Sequence, residues 1–147
     1  MFGIQKRVAS LLVPRLHNLS VSAALSSTVK QKIESYLKAD PVVVFMKGTQ
    51  TEPMCGFSRN VKLVLDFHNI KFRDYNVLED SELREGIKEF SEWPTIPQVF
   101  VNGEFVGGCD ILVQMHKDGE ITEFFEKAGI KSKFSDSEET EGQVTDR

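Results

Sequence analysis

The feature that most limits the fold of this chain is a run of five apolar residues, Val42 to Met46. A run that is apolar at every position and rich in valine predicts a strand covered on both faces, because a strand with one wet face would alternate apolar and polar residues. A helical pattern precedes the strand, with Val29, Ile33 and Leu37 three or four residues apart and an end before Pro41. A helix packed beside a fully buried strand predicts the α/β class.

The rest of the chain continues this alternation. The further predicted elements, in chain order, are a helix from Cys55 to about Asn69, a strand over Lys71–Asn76, a helix capped by Asp80 or Ser81, a break at Trp93–Pro97, strands at Gln98–Val101 and Glu104–Val106 around the turn Asn102-Gly103, and a last helical stretch with Asp110 as its cap and Ile111 to Phe125 along it. Asn-Gly favours a type I′ hairpin, so the last two strands are expected to be antiparallel. The strand-helix units favour parallel pairing of the early strands.

Charge divides the chain into three parts. Residues 1–33 contain five basic and no acidic side chains, so the remainder of a chain with a formal charge of −4 carries −9. The basic start, with its many serines, predicts a mitochondrial transit peptide over residues 1–26, and a cytosolic disordered extension is the alternative. Residues 132–147 are polar and mostly acidic, which predicts a solvated tail. Residues 27–131 then form the folded domain.

Composition also restricts the function. An acidic folded part argues against nucleic acid as a partner. No apolar stretch approaches the roughly 18 residues that a membrane span needs, so no membrane association is predicted. The chain contains only two cysteines and no Cys/His set with zinc spacing, so neither a disulfide scaffold nor a self-contained zinc site is expected. His68 and His116 are predicted to pack or to face solvent.

Cys55 stands where a loop after the predicted strand meets a helix. Unpaired N–H groups and the positive end of the helix dipole stabilise a thiolate at such a position, so Cys55 is the candidate nucleophile or metal ligand. Three residues on, where a dithiol oxidoreductase carries its second cysteine, the chain has Ser58, which we interpret as a hydrogen-bonding group. Cys109 is either a buried structural thiol or a partner that resolves a mixed disulfide at Cys55.

Four separated motifs together resemble the monothiol glutaredoxins of the single-domain, mitochondrial type. They are Lys47-Gly48-Thr49, Pro53 to Ser58, Trp93 to Pro97 and Gly107 to Asp110, and the resemblance covers about residues 27–129. It implies a thioredoxin-like fold, with a four-stranded mixed sheet flanked by helices and a cis peptide bond before Pro97. It also implies that glutathione and a 2Fe–2S cluster bind, the cluster being shared by the Cys55 residues of a homodimer.

The resemblance assigns the glutathione contacts by position. Lys47 and Arg84 match the residues that hold the glycine carboxylate of glutathione. The backbone of Ile96 matches the segment that pairs with its cysteinyl unit. Cys109 and Asp110 match the residues that hold its γ-glutamyl end.

The leading hypothesis is therefore a cluster carrier in the mitochondrial matrix. It would receive a cluster from an iron-sulfur scaffold and pass it to apo-protein recipients, with Hsp70-type chaperones and BolA-like proteins as further partners. The alternative is an enzyme, a glutathione-dependent protein deglutathionylase or disulfide oxidoreductase. A third hypothesis is a regulatory module in which the cluster mediates contact with a partner.

Overall fold

The computed structural model describes residues 25–135, so most of the predicted transit peptide and residues 136–147 of the predicted tail lie outside the described residues. The elements, in chain order, are α1 (Ser27–Ala39), β1 (Val42–Met46), α2 (Gly56–Phe67), β2 (Arg73–Asn76), a 3-10 turn (Val77–Glu79), α3 (Ser81–Ser91), β3 (Gln98–Val101), β4 (Glu104–Gly107), α4 (Cys109–Lys117) and α5 (Ile121–Lys127). This order confirms the predicted alternation.

β1 lies inside a four-stranded sheet of order β2-β1-β3-β4. It pairs with β2 in parallel and with β3 antiparallel, and β3 pairs antiparallel with β4. All five residues of β1 are buried, as the apolar run predicted. The sheet is the four-stranded mixed sheet expected of a thioredoxin-like α/β fold.

Helices cover both faces of the sheet. The side chains of β1 alternate, with Val42, Val44 and Met46 packed with residues of α2, α4 and α5 on one face. Val43 and Phe45 pack with residues of α1 and α3 on the other face. Because both faces of β1 are sealed, the residue that follows it, Lys47, is the first that can leave the core.

Local signals account for the turns and helix starts. Asn102 and Gly103 have φ angles of +50° and +82°, which a type I′ turn requires at both central positions, so the predicted hairpin is confirmed. Asp80 Oδ1 accepts a hydrogen bond at 3.0 Å from the backbone N–H of Leu83, so of the two predicted caps Asp80 is the right one.

Three boundaries differ from the predictions. β2 begins at Arg73 rather than Lys71. The last helical stretch is two helices, because α4 ends at Lys117 and Gly119 turns the chain with a φ of +74°. Asp110 is not a helix cap, since α4 already begins at Cys109 behind Gly108. A Cβ on Gly108 would lie 3.1 Å from the carbonyl oxygen of Pro97, so the close packing of this turn favours glycine at the cap.

The ends of the folded domain also extend beyond the predicted limits. The Oγ of Ser26 caps α1, and Leu25 packs against the core. The solvated tail does not begin at Ser132, because Ser132 and Ser135 are buried, and the backbone N–H of Ser132 donates to Ser135 Oγ at 2.9 Å. Buried serine hydroxyl groups can serve as hydrogen-bond partners for each other and for nearby N–H groups. Composition alone does not predict this arrangement.

The C-terminal segment, residues 131–135, is hydrogen-bonded to His68, which in turn contacts His116. The N–H of Lys133 donates to the carbonyl oxygen of His68 at 2.8 Å. His68 Nε2 lies 3.0 Å from His116 Nδ1, so the two rings share a hydrogen bond, as side chains that pack rather than side chains of a metal site. Burial, with the neighbouring His116, lowers the pKa of His68. No helix among residues 25–135 has the length and apolar content to cross a bilayer.

Candidate functional site

A cleft of about 550 Å³ opens beside the C-terminal end of β1. Every residue predicted to hold glutathione lines it: Lys47, Arg84, Ile96, Cys109 and Asp110. The rest of the lining comes from Phe57, Lys88, Trp93, Pro94, Thr95, Pro97, Gly108 and Ile111. The structure therefore brings together five residues that lie up to 63 positions apart in the sequence.

Cys55 is the N-cap residue of α2, so its predicted place at a loop-to-helix junction is confirmed. The backbone N–H of Ser58 donates to Cys55 Sγ at 3.3 Å. The thiol is partly exposed and takes part in no disulfide. Cys55 is not itself a lining residue of the cleft, but it adjoins it, because Phe57 two residues further on lines the cleft and the charge of the lining residue Lys47 acts on the thiol.

Ser58 connects the thiol to the end of β1. Its side chain is completely buried, and its Oγ lies 3.3 Å from Cys55 Sγ. The same oxygen accepts a hydrogen bond at 3.1 Å from the backbone N–H of Lys47. The thiol of Cys55 donates to this oxygen. When Cys55 ionises, the hydroxyl can turn its own proton to the sulfur, and an O–H donor stabilises the thiolate form. Ser58 is a hydrogen-bonding group, as predicted.

The two cysteines have opposite acid-base properties. Burial by itself would raise the pKa of Cys55. Hydrogen bonds from the Ser58 hydroxyl and from the Ser58 and Phe57 N–H groups, together with the charge of Lys47, outweigh the effect of burial, so the pKa is lowered. Burial raises the pKa of Cys109, and the charges of Asp110 and Cys55 raise it further against a hydrogen bond from Asn60. Cys55 is therefore the thiol of this site that ionises more readily, and Cys109 is the one that ionises less readily.

Ser58→Ala should move the ionisation of Cys55 to higher pH, because it removes the hydroxyl donor while the backbone donors stay. At pH values below the midpoint of Cys55 ionisation, the thiolate is the minority form of the side chain. In that pH range the rate of alkylation by iodoacetamide should be about two- to tenfold lower than in the wild type, a range set by the energy of one hydrogen bond. The rate is measured as a function of pH on a Cys109→Ser background. Ser35→Ala, which loses an exposed hydroxyl bonded to Lys32, is the matched control. An unchanged midpoint would show that Ser58 does not donate to the sulfur.

The loop that connects Lys47 to Cys55 is fixed by hydrogen bonds at its base and at its tip. The N–H of Met54 donates to the carbonyl oxygen of Lys47 at 2.9 Å, which closes the loop at its base. Gly48 has a φ of +89°, and a Cβ there would lie 2.3 Å from the Glu52 carbonyl oxygen, so only glycine fits. At the tip, the backbone N–H of Gln50 donates to Asp74 Oδ2 at 2.8 Å. These contacts hold the lysine and the cysteine on one side of the cleft.

The opposite wall of the cleft is the segment Trp93–Pro97. The Ile96–Pro97 peptide bond is cis, as expected. Trp93 packs its ring 5.5 Å from that of Phe105, but it is also 37% exposed and lines the cleft. Its indole therefore both packs against the sheet and forms part of the cleft surface.

Positive charge dominates the cleft, where Lys47, Arg84 and Lys88 face a single acidic residue, Asp110. Lys88 forms a salt bridge of 3.3 Å with Glu85. No salt bridge within residues 25–135 involves Arg84, and its Nε is buried without a hydrogen-bond partner there. A buried cationic donor without a partner is costly, so the cleft is suited to an anion that supplies the missing acceptor. The sequence analysis missed Lys88, although its spacing of one helical turn from Arg84 could have indicated it.

In the described part of the chain, no three His, Cys, Asp or Glu side chains come together as a metal site.

Comparisons with known proteins agree with this geometry. The glutaredoxin family model matches residues 42–106. A zebrafish (Danio rerio) protein named glutaredoxin-related protein 5, mitochondrial, is 55% identical over 77% of this chain and 74% of its own length. Monothiol glutaredoxin-5, mitochondrial, of Lachancea kluyveri is 54% identical over 78% of this chain and 82% of its own. The solution structure of reduced apo GrxS14 from poplar is 47% identical over 71% of this chain and 96% of that chain, with a TM-score of 0.64.

Proposed function

The chain belongs to the glutaredoxin family, as a monothiol member, and on that premise we propose that it carries 2Fe–2S clusters. In this proposal a homodimer holds the cluster as cargo through Cys55 and two glutathione molecules and passes it to apo-proteins. The observation that carries the proposal is one partly exposed cysteine with a lowered pKa, close to Lys47 of a cationic cleft.

The count of sulfur ligands favours a shared cluster. A 2Fe–2S cluster takes four thiolate ligands as a rule. Cys55 is the only described cysteine that is both partly exposed and lowered in pKa, because Cys109 is buried and its pKa is raised. Two chains therefore supply two thiolates, and two small thiols complete the set. Ligands that dissociate as small molecules allow the cluster to leave by thiolate exchange, which suits a carrier.

The cleft residues match glutathione, which is a peptide with two carboxylates, one ammonium group and one thiol. Lys47 and Arg84 provide cationic donors for its glycine carboxylate, and Arg84 can bind it through two N–H groups. In this proposal the backbone of Ile96, which lines the cleft, pairs with the peptide as an added strand. Asp110 can accept from the ammonium group, and the start of α4 at Cys109 offers free N–H groups to the γ-glutamyl carboxylate.

The setting of this function is proposed from the relatives and from the sequence. The two curated relatives described above are named mitochondrial, and residues 1–26 have the composition of a transit peptide. The proposed location is the mitochondrial matrix. There the donor would be an iron-sulfur scaffold, the recipients apo-proteins, and the accessory partners an Hsp70-type chaperone and BolA-like proteins.

Anaerobic reconstitution tests the proposal. Protein incubated with iron, sulfide and reduced glutathione should become brown and elute as a dimer, as measured by visible absorption and size-exclusion chromatography. S-methylglutathione is the matched control, because it keeps the carboxylates that the cleft recognises and lacks the thiol that the cluster needs. Equal colour with S-methylglutathione, or a brown monomer, would contradict a cluster ligated by glutathione between two chains.

One observation also favours an enzymatic alternative: a partly exposed thiolate beside a glutathione-sized cleft can attack a disulfide. Cys55 would attack the glutathione sulfur of a glutathionylated protein. This step forms a mixed disulfide between Cys55 and glutathione and releases the protein thiolate. A second glutathione thiolate would then attack that mixed disulfide, releasing glutathione disulfide and restoring Cys55. Rapid turnover in a glutathione-coupled assay would favour this enzyme over the carrier.

A further inference from the structure

Gln98 is a completely buried amide directly behind one wall of the cleft. It is the first residue of β3, and it follows the cis-proline Pro97. Its side chain has no exposed surface, although it is polar. A buried amide is costly unless it is hydrogen-bonded, so its partners indicate why a glutamine stands at this position.

The partners of Gln98 are two carbonyl groups of the wall segment Trp93–Pro97. Its Nε2 donates to the carbonyl oxygen of Trp93 at 2.9 Å and to that of Thr95 at 3.2 Å. The wall belongs to no helix or strand, and two of its five residues are prolines, which lack an N–H. Its first residue is anchored by a backbone hydrogen bond, because the N–H of Trp93 donates to the carbonyl oxygen of Lys88 at 3.1 Å. Beyond that point the Gln98 side chain spans the segment, binding carbonyl groups on both sides of Pro94.

The unpaired atom of Gln98 supports a role beyond packing. Its Oε1 is buried and has no hydrogen-bond partner in residues 25–135. Turning the amide around would not help, because Oε1 would then face two carbonyl oxygens. An apolar residue here would avoid the cost of this acceptor, but it would leave the carbonyl oxygens of Trp93 and Thr95 without their donor. The amide donor is therefore the property that distinguishes glutamine from an apolar residue at this position.

We propose that Gln98 is a positioning residue that fixes the Trp93–Pro97 wall for glutathione, an inference that rests on the proposed glutathione site. Trp93, Thr95 and Ile96 all line the cleft, and the backbone of Ile96 is the proposed pairing edge for the peptide. Because one amide binds the carbonyl oxygens of both Trp93 and Thr95, the backbone of Ile96 already has its binding conformation before the ligand binds. The wall then loses little conformational entropy on binding.

The test compares Gln98→Met, which keeps the length and removes the donor, with Gln98→Glu in the full chain. The affinity for S-methylglutathione, measured by NMR titration, should fall about tenfold in Gln98→Met, as two hydrogen bonds are lost. The pKa of Cys55 should not move, because its hydrogen-bond donors lie on α2 and the charge that also lowers its pKa is that of Lys47. In Gln98→Glu, the affinity for S-methylglutathione should be lower at pH 8, where the carboxylate has no proton to donate. The affinity should partly recover at pH 5.5, where the carboxyl group is protonated and can donate one hydrogen bond. A role that depends on side-chain volume alone would show no such recovery.

The exposed Gln114→Met, which also loses an amide hydrogen bond, is the matched control and should bind like the wild type. Amide hydrogen exchange in the ligand-free protein is the independent measurement: the N–H groups of Thr95 and Ile96 should exchange faster in Gln98→Met, with those of β1 unchanged. If they exchange at the wild-type rate, Gln98 does not position the wall. If the wild type itself binds no S-methylglutathione, the glutathione site is wrong, and the exchange rates still decide the role of Gln98. Should Gln98→Met not fold, Gln98→Glu at pH 5.5 and pH 8 supplies both measurements.

Discussion

Cys55→Ser should abolish the reconstitution of a brown, dimeric protein. A serine hydroxyl does not ionise near neutral pH, so it cannot replace the thiolate that an iron ion requires. The donors that lower the pKa of Cys55, chiefly the Ser58 hydroxyl and the neighbouring N–H groups, would remain in place with no sulfur to act on. The measurements are the visible absorption, the iron and sulfide content, and the elution volume after anaerobic reconstitution with glutathione.

Cys109→Ser is the matched control for this prediction, because it removes the other of the two cysteine thiols of the chain. Burial raises the pKa of Cys109, so it is a thiol and should not ligate iron. Its variant should bind as much cluster as the wild type. If Cys55→Ser retains an equal cluster, the carrier proposal is wrong. If Cys109→Ser loses the cluster while Cys55→Ser keeps it, the ligand has been assigned to the wrong cysteine.

The parts of the fold that sequence could predict are those determined within a few residues. The buried strand Val42–Met46 follows from an uninterrupted apolar run, and the hairpin from the positive φ angles that Asn-Gly tolerates. The boundaries at Cys109 and Ser132 could not be predicted in the same way. The first depends on how closely Gly108 approaches Pro97, and the second on hydroxyl groups that satisfy each other when buried. Both are tertiary effects.

The same distinction holds in the cleft. The motifs predicted Lys47, Arg84, Ile96, Cys109 and Asp110, and all five line one cleft. The contacts behind them were not predictable. Ser58 reaches the Lys47 backbone only because the end of β1 meets the start of α2, and Gln98 reaches Trp93 only because the chain turns back at Pro97. Residue type alone does not show which buried polar groups face each other across such junctions.

Arg84→Met should weaken glutathione binding without weakening the fold, and this pair of opposite results is what distinguishes a binding residue from a structural one. Hydrogen bonds to a charged group are each worth about 1.5–3 kcal/mol, so the affinity for S-methylglutathione should fall by about ten- to a hundredfold. Arg84 Nε has no partner in residues 25–135, so the fold gains nothing from it. The free energy of unfolding should stay the same or rise by about 1 kcal/mol, because an apolar side chain removes an unpaired buried donor.

Arg73→Met provides the control, since Arg73 is an exposed arginine of β2 whose guanidinium lies 5.7 Å from the centre of the Tyr75 ring, away from the cleft lining. It loses the same charge and should bind S-methylglutathione as the wild type does, so a general effect of net charge would appear in both variants. The two quantities are measured by NMR titration and by urea denaturation. If Arg84→Met binds normally, the cleft does not hold the glycine carboxylate through Arg84. If it binds weakly and also unfolds at lower urea concentration, Arg84 supports the fold, and its buried Nε has to be explained by packing instead of by a ligand.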